Sequence, residues 1–129
     1  MITIDKKEHS IFLMRELGPI VLEKKVYKEL GYPIFSDKNH TWYMAYNNGV
    51  LIGFCCAIKK KTHISFNHDY VLENYRCLGV YDKLFNARLR DFQSSRIKAV
   101  CTEKSISNFL KFGFDITKET KNYTFVQLN

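Results

Sequence analysis

A short turn between residues 75 and 80 carries the strongest chemical signal in the sequence. It reads Tyr-Arg-Cys-Leu-Gly-Val, and it links a strand-like segment ending at Val71-Leu72 to an amphipathic helical stretch from Gly79 to about Phe92. The first turn of a helix has N–H groups without backbone partners, and the helix dipole favours negative charge there. Gly79 lets the backbone approach a phosphate closely, and Arg76 can add a charged contact. The turn therefore predicts an anion-binding site; the alternative interpretation is an ordinary turn before a helix.

Side chains that can move a proton lie just upstream, in the strand-like segment from Thr62 to Leu72. His68 has an ordinary pKa near ~6.5 and could accept a proton directly or through water. In a regular strand His68 shares one face with Phe66 and Tyr70, and the following carboxylate, Asp69, lies on the other face. We predict His68, Asp69 and Tyr70 as catalytic candidates. The alternative interpretation is a packed histidine and a carboxylate held by a hydrogen bond at the strand end.

The N-terminal region favours helix. Apolar residues recur at helical spacing from about residue 9 to residue 30. Gly18-Pro19 interrupts that pattern, because proline lacks an N–H and disfavours helix in the residue before it. We therefore expect two short helices joined at this dipeptide, with Gly31-Tyr32-Pro33 ending the helical region.

A strand, a tight turn and a second strand follow between Thr41 and Ile58. Asn47-Asn48-Gly49-Val50 tolerates the positive φ that a tight turn requires, so it predicts a β-hairpin. The remaining predicted elements are a strand at Ile97–Thr102, a short helix at Ser105–Phe112, and a strand or hairpin at Thr117–Leu128. This order of elements indicates a mixed α/β arrangement around one sheet.

Composition limits the class of protein. The chain has 129 residues, of which 46% are hydrophobic, and this suits a single domain with its own core. The longest strongly apolar run, Val50 to Ile58, is too short to span a membrane, and the N-terminus lacks the order of a secretion signal. We expect a soluble cytoplasmic protein with no membrane partner. Four cysteines without zinc-ligand spacing lead us to predict no metal site.

The formal net charge of +7 has several explanations. A basic pocket for an anionic cofactor, attraction to nucleic acid and plain solubility would each produce it. Lys59-Lys60-Lys61 is the one dense basic run, and between two strands such a run is typical of a solvated hairpin tip.

In order and spacing these segments resemble the GNAT superfamily of acyl-CoA-dependent N-acyltransferases. The signature loop of that family, Arg/Gln-x-x-Gly-x-Gly/Ala, is matched by Arg76-Cys77-Leu78-Gly79-Val80-Tyr81. About thirty residues later, Phe109-Leu110-Lys111-Phe112-Gly113-Phe114 is similar to the closing helix of the family and its Gly-Phe pair. The resemblance implies an α/β fold with a single mixed, mostly antiparallel central sheet flanked by helices. It implies one domain over residues 1–129, with N-terminal helices at about 9–30 and a cofactor-binding core at about 41–128.

The resemblance also implies an activity, namely direct transfer of an acetyl group from acetyl-CoA, or of another acyl group from its acyl-CoA, to a primary amine. The main chain around Tyr70, Val71 and Leu72 would bind the pantetheine arm. The pyrophosphate would lie on the loop formed by Arg76, Cys77, Leu78, Gly79, Val80 and Tyr81, and Phe109 would lie beside the cofactor. Two residues depart from the family pattern: Tyr81 stands in place of the last Gly/Ala, and Phe109 stands in place of the tyrosine that serves as general acid.

Two alternatives remain open at this point. A nucleic-acid-directed acyltransferase would use the lysine run together with Arg88, Arg90 and Arg96 for phosphates. A catalytically silent module would bind CoA or a protein partner without turnover. The acceptor, a small molecule or a protein amine, and the oligomeric state, monomer or homodimer, are not determined by the sequence.

Overall fold

A computed structural model describes residues 1–30 and 34–129 of the chain. Within those residues one seven-stranded sheet has the order β1-β2-β3-β4-β5-β7-β6, and four α-helices accompany it. The strands are β1 (Ile2–Glu8), β2 (His40–Asn47), β3 (Val50–Lys59), β4 (Ile64–Val71), β5 (Ile97–Cys101), β6 (Asp115–Glu119) and β7 (Thr124–Leu128). The helices are α1 (Ile11–Val21), α2 (Lys24–Leu30), α3 (Val80–Asp91) and α4 (Ile106–Lys111).

The strand pairing matches the predicted fold class. Among the described residues every neighbouring pair of strands is antiparallel except β4 and β5, which run parallel. The predicted turn between β2 and β3 is present, with φ of 50° at Asn48 and 84° at Gly49. Two successive left-handed residues form the tight turn whose twist suits a hairpin. The single mixed, mostly antiparallel sheet flanked by helices is thus confirmed.

Strand β1 was not predicted. It pairs with β2 along its whole length, from Ile2 opposite Asn47 to Glu8 opposite Thr41. Ile2 and Ile4 pack against the core from one side of the strand. Their alternation with polar residues is a strand signal, but one confined to the first few residues of the chain.

The prediction for the first two helices is wrong in one respect. Helix α1 continues through Gly18 and Pro19, and the joint with α2 lies at Leu22 and Glu23 instead. Proline removes one backbone hydrogen bond, but Leu13 and Leu17 are fully buried and hold this helix on the sheet. The Ser10 hydroxyl caps the helix by accepting from the Leu13 N–H at 3.1 Å. The predicted end of the helical region, at residues 31–33, lies outside the described residues.

A hydrophobic core covers each face of the sheet. Helices α1 and α2 cover β2, β3 and β4 on one face, where Trp42, Phe54 and Tyr70 are buried. Helices α3 and α4 cover the other face, where Phe66, Phe85 and Phe109 are buried. We call these the α1/α2 face and the α3/α4 face.

Strand β4 contains a bulge at His68. The register with β3 shifts there, with Cys56 opposite Asn67 but Phe54 opposite Tyr70. His68 has φ of 59°, in the left-handed region that non-glycine residues seldom adopt. The prediction that Phe66, His68 and Tyr70 share a face is therefore wrong, because the extra residue moves His68 and Tyr70 to the α1/α2 face.

Candidate functional site

The sheet opens into a cleft between its two parallel strands. Strands β4 and β5 pair only at Ile64 with Ile97 and at Ser65 with Lys98, and beyond these pairs they diverge. The space between them is a cleft of about 860 Å³. Its walls are the C-terminal half of β4, the loop leading to α3, the start of α3, and residues of β5 and α4 on the opposite side.

The loop before α3 has the backbone that was expected of an anion site. Cys77 and Gly79 are left-handed, with φ of 64° and 82°, and helix α3 begins at Val80. A Cβ placed on Gly79 would meet no other atom within 4 Å, so the backbone there is open to a ligand. Gly79 and Tyr81 line the cleft, which brings the unpaired N–H groups of the first helical turn to its wall.

Arg76 ties this loop to two other elements. Its Nε donates to the Val71 carbonyl at 2.8 Å, and its Nη2 lies 2.7 Å from Oε2 of Glu29 in α2. The guanidinium also lies over the ring of Tyr70, 5.2 Å from the centroid. Arg76 therefore places a positive charge on the cleft wall and joins α2 to the end of β4.

Glu29 belongs to the cleft although it was not predicted. It accepts a hydrogen bond from the Tyr70 hydroxyl at 3.2 Å and pairs with Arg76 through its other oxygen. Burial raises the pKa of Tyr70, and the Glu29 carboxylate adds to that effect. The sequence contains no local motif for Glu29, because its place at the cleft depends on how α2 packs against β4.

Asp69 lies on the α3/α4 face in a buried ion pair with Arg88. The two terminal nitrogens of the Arg88 guanidinium, Nη1 and Nη2, donate to Oδ1 and Oδ2 of Asp69 at 2.7 and 2.9 Å. Tyr81 donates its hydroxyl to the same carboxylate at 2.7 Å. Arg88 is fully buried and also donates to the Cys56 carbonyl at 3.0 Å, so it cannot reach a nucleic acid at the surface. Burial alone would lower the pKa of Arg88, but its neighbours, Asp69 foremost among them, together outweigh burial and raise it.

The position of Arg88 on the buried side of α3 could have been read from the sequence. It follows Leu84 by four residues and Phe85 by three, so it lies on the apolar side of the helix. An arginine on such a side requires a buried carboxylate. The expectation that His68 and Asp69 lie on opposite faces is confirmed.

His68 lines the cleft from the α1/α2 face and is 2% exposed. Its ring stacks on Trp42 at 5.5 Å and on His40 at 5.9 Å, measured between ring centroids. Burial, and next the proximity of His40, lower its pKa to about 4. His68 is therefore a neutral imidazole at physiological pH.

The two departures from the family pattern have different structural consequences. The Tyr81 ring turns inward to Asp69 and packs near Phe85, with ring centroids 5.9 Å apart. Phe109 is 4% exposed and contacts the rings of Phe85 and Phe114, each at a centroid distance of 5.1 Å. Phe109 lines the cleft without offering a proton.

The predicted site residues separate into two groups. The cleft is lined by His68, Asp69, Tyr70, Val71, Arg76, Cys77, Gly79, Tyr81 and Phe109. Leu72, Leu78 and Val80 are not among the lining residues; Leu78 is 61% exposed, whereas Val80 is buried in the core. In the described part of the chain, no group of three or more His, Cys, Asp or Glu residues could hold a metal ion. No helix of residues 1–30 and 34–129 is long and apolar enough to cross a membrane.

Solved structures of the same fold are numerous, although their sequences are distant. ElaA from Escherichia coli aligns with a TM-score of 0.75 and 14% identity over 100% of both chains. The PaiA N-acetyltransferase from Thermoplasma acidophilum, solved with coenzyme A, aligns at 0.74 and 13% over 97% of this chain and 98% of its own. Naa50 from Arabidopsis thaliana, solved with the bisubstrate analogue CoA-Ac-MVNAL, aligns at 0.70 and 20% over 98% of each. No curated protein matches the sequence significantly.

A sequence comparison identifies the family directly. The family described as "Acetyltransferase (GNAT) family" matches residues 8–114, which is most of the chain. The match confirms the resemblance inferred from the loop at residues 76–81, the acyltransferase class, and acetyl-CoA or another acyl-CoA as the cofactor. The chain belongs to the GNAT acetyltransferase family.

Proposed function

We propose that this protein transfers an acetyl group directly from acetyl-CoA to the primary amine of an acceptor. The observation that carries the proposal is the divergence of β4 and β5, which opens one cleft between the start of α3 and the side chains of His68 and Tyr70. Two proteins of the same fold were solved with coenzyme A or with a CoA-linked peptide analogue, and this supports a cleft that receives both donor and acceptor. Acetyl-CoA supplies the activated thioester, and the chain supplies positioning and proton transfer.

The start of α3 is the proposed pyrophosphate site. The residues after Gly79 contribute the unpaired N–H groups of the first helical turn, and the helix dipole favours an anion there. Gly79 is left-handed and has open space where a Cβ would stand. Both properties fit a diphosphate that contacts the main chain.

The exposed edge of β4 is the proposed site for the pantetheine arm. Strand β4 loses β5 as a partner after Ser65, so its backbone groups on that side face the cleft. The Leu72 N–H donates to the Ile52 carbonyl in β3 at 2.8 Å. Since successive N–H groups of a strand alternate in direction, the Val71 N–H points the other way, towards the cleft. We propose that the Val71 N–H donates to the thioester carbonyl and polarises it, as a backbone donor does in an oxyanion hole.

We propose Glu29 as the proton acceptor and Tyr70 as the relay: the phenol accepts the proton of the amine nitrogen as it passes its own proton to the Glu29 carboxylate. An amine becomes far more acidic as its nitrogen bonds to carbon, so a carboxylate suffices at that stage. His68, the second candidate, is already neutral and could accept a proton, but its low pKa makes it a weak base. We assign Asp69 a positioning role, because Arg88 and Tyr81 hold its oxygens.

The departing thiol has no proton donor at the usual place. Phe109 lacks a hydroxyl, so the cleft relies on a thiolate whose conjugate acid has a pKa near ~8.5. A leaving group of that acidity can depart without general-acid assistance, at some cost in rate.

The experiment measures acetyl-CoA binding by calorimetry and thiol release against a panel of amines. We expect Gly79→Glu to abolish binding, because it places a negative charge at the proposed pyrophosphate site. Gly18→Glu is the matched control, since a Cβ at Gly18 in α1 also meets no atom within 4 Å. Gly79→Ala measures the backbone effect without the charge.

Each outcome decides between two interpretations. Unchanged acetyl-CoA affinity in the Gly79→Glu variant would refute the site. Tight binding without thiol release from any amine would favour the catalytically silent module over the enzyme. Loss of activity in Glu29→Gln and Tyr70→Phe, with cofactor affinity retained, is expected if the pair accepts the proton.

A further inference from the structure

A second groove lies on the part of the α1/α2 face that neither helix covers. It has a volume of about 330 Å³ and is built by β4, β5, β6 and β7. His63, Ser65, Lys98, Lys118 and Phe125 line it together with Val100. Val100 is 53% exposed and also lines the main cleft, so the groove and the cleft lie on either side of this residue of β5.

Positive charge is concentrated around this groove. Two backbone hydrogen bonds, from the Lys60 N–H to the His63 carbonyl and from the Ile64 N–H to the Arg96 carbonyl, are each 2.9 Å long. These bonds bring the basic run Lys59-Lys60-Lys61 and the start of β5 beside the groove. Burial lowers the pKa of His63, and so do the nearby Lys98, Lys60 and Arg96.

This charge is not neutralised within the described residues. Among residues 1–30 and 34–129, no carboxylate lines the groove. None of Lys60, Arg96, Lys98 and Lys118 takes part in an ion pair with another described residue. In contrast, the buried Arg88 and the cleft residue Arg76 are both paired with carboxylates. A groove with unneutralised cations beside a cleft is complementary to an anionic ligand.

We propose that this groove binds the acidic segment of a polypeptide acceptor whose amine enters the cleft. The inference rests on the proposed acetyltransferase function and specifies its acceptor. Lys98 lies two residues from Val100 and four from Thr102, which lines the cleft. At roughly 3.3 Å per residue of strand this is about 7–13 Å, which an extended peptide spans with two to four residues. The acidic residues are therefore expected about two to four positions from the residue that enters the cleft.

The groove fits a peptide better than a polynucleotide. Base stacking needs an open aromatic ring, but the ammonium group of Lys118 lies over the Phe125 ring, 5.7 Å from its centroid. Four charges around a small groove also suit two or three carboxylates more than the many phosphate contacts of a nucleic acid.

Binding tests the proposal independently of turnover. A fluorescent peptide of about twelve residues, with aspartates two to four positions after the amine, is titrated with the full chain at about 0.15 M salt. A control peptide carries asparagines in place of the aspartates, and a single-stranded oligonucleotide is the third probe. We expect the aspartate peptide to bind about tenfold more tightly than the asparagine peptide. We expect Lys98→Ala/Lys118→Ala to remove that preference, whereas Lys6→Ala, on the far edge strand β1, keeps it.

The outcomes separate this proposal from the proposed function. Equal binding of the two peptides, or a preference retained in the double variant, would overturn the groove proposal. Tighter binding of the oligonucleotide, lost in the double variant, would overturn it in favour of a polynucleotide site. Thiol release with acetyl-CoA is measured on the same proteins with these peptides and with the amine panel: an acidic preference in binding without thiol release from any peptide or amine leaves the groove in place and refutes the acetyltransferase function.

Discussion

Replacing Asp69 with asparagine removes the charge that neutralises Arg88 at its buried position. The Arg88 side chain is 0% exposed, and its guanidinium lies 4.0 Å from the centroid of the Phe66 ring. Breaking a buried ion pair by removing one partner costs about 3–5 kcal/mol, because the remaining charge is left in a medium of low dielectric. That is a large part of the roughly 5–15 kcal/mol by which domains are stable. For a domain of this size we expect the melting temperature to fall by on the order of 10–20 °C.

Urea unfolding of four proteins measures this effect. They are the wild type, Asp69→Asn, the double variant Asp69→Leu/Arg88→Met, and the control Glu73→Gln, which changes an exposed ion-paired carboxylate. The double variant replaces both charges by apolar groups, and we expect it to recover most of the lost stability. The control should leave the urea midpoint unchanged. A free energy of unfolding for Asp69→Asn within about 1 kcal/mol of the wild-type value would refute the reasoning. Turnover by a stable double variant would also exclude Asp69 as the proton acceptor.

Three further predictions follow from the same structure. Folding lowers the pKa of His68 from 6.5 to about 4, so as the pH falls the unfolded chain binds this proton before the folded chain does. The free energy of unfolding of the wild type should therefore decrease by about 3 kcal/mol as the pH falls from 6.5 to 4. His68→Phe should weaken this pH dependence, whereas the control His9→Gln should keep it. Cys77 is the one exposed thiol of four, so a thiol reagent should modify one cysteine rapidly in the native protein, and acetyl-CoA should slow that reaction. Phe109→Tyr should raise the rate of thiol release between several-fold and about 100-fold, because the new hydroxyl can protonate the leaving thiolate, and acetyl-CoA affinity should not change. An unchanged rate would show that protonation of the leaving group does not limit turnover.

Features set by short-range physics were predictable from the sequence. The turn at Asn48-Gly49 and the loop ending at Gly79 both require left-handed residues, and the sequence places glycine at these points. Helix α3 follows the loop with an apolar side that matches its burial. These signals lie within a few residues of one another, so the order of elements and the proposed anion site could be inferred together.

Features set by packing between distant segments could not be inferred in the same way. Pro19 looks like a break until the burial of Leu13 and Leu17 is known, since that burial holds α1 in place. Glu29 reaches the cleft only because α2 lies against β4, where its carboxylate pairs with Arg76. A regular alternation gave the wrong face for His68, because nothing in the segment around it marks the extra residue of a bulge.

That extra residue connects stability with the proposed chemistry. Without it, the alternation that starts at Phe66 on the α3/α4 face would place Tyr70 on the same face and Asp69 on the opposite one. The bulge reverses both positions: it brings Asp69 to Arg88 under α3, and it brings Tyr70 to Glu29 at the cleft. The left-handed conformation of His68 costs about 1–2 kcal/mol, and the stacked rings on one side and the ion pair on the other hold it in place. The proposed acceptor side of the cleft therefore depends on a strained residue that the buried Asp69–Arg88 pair stabilises from the opposite face.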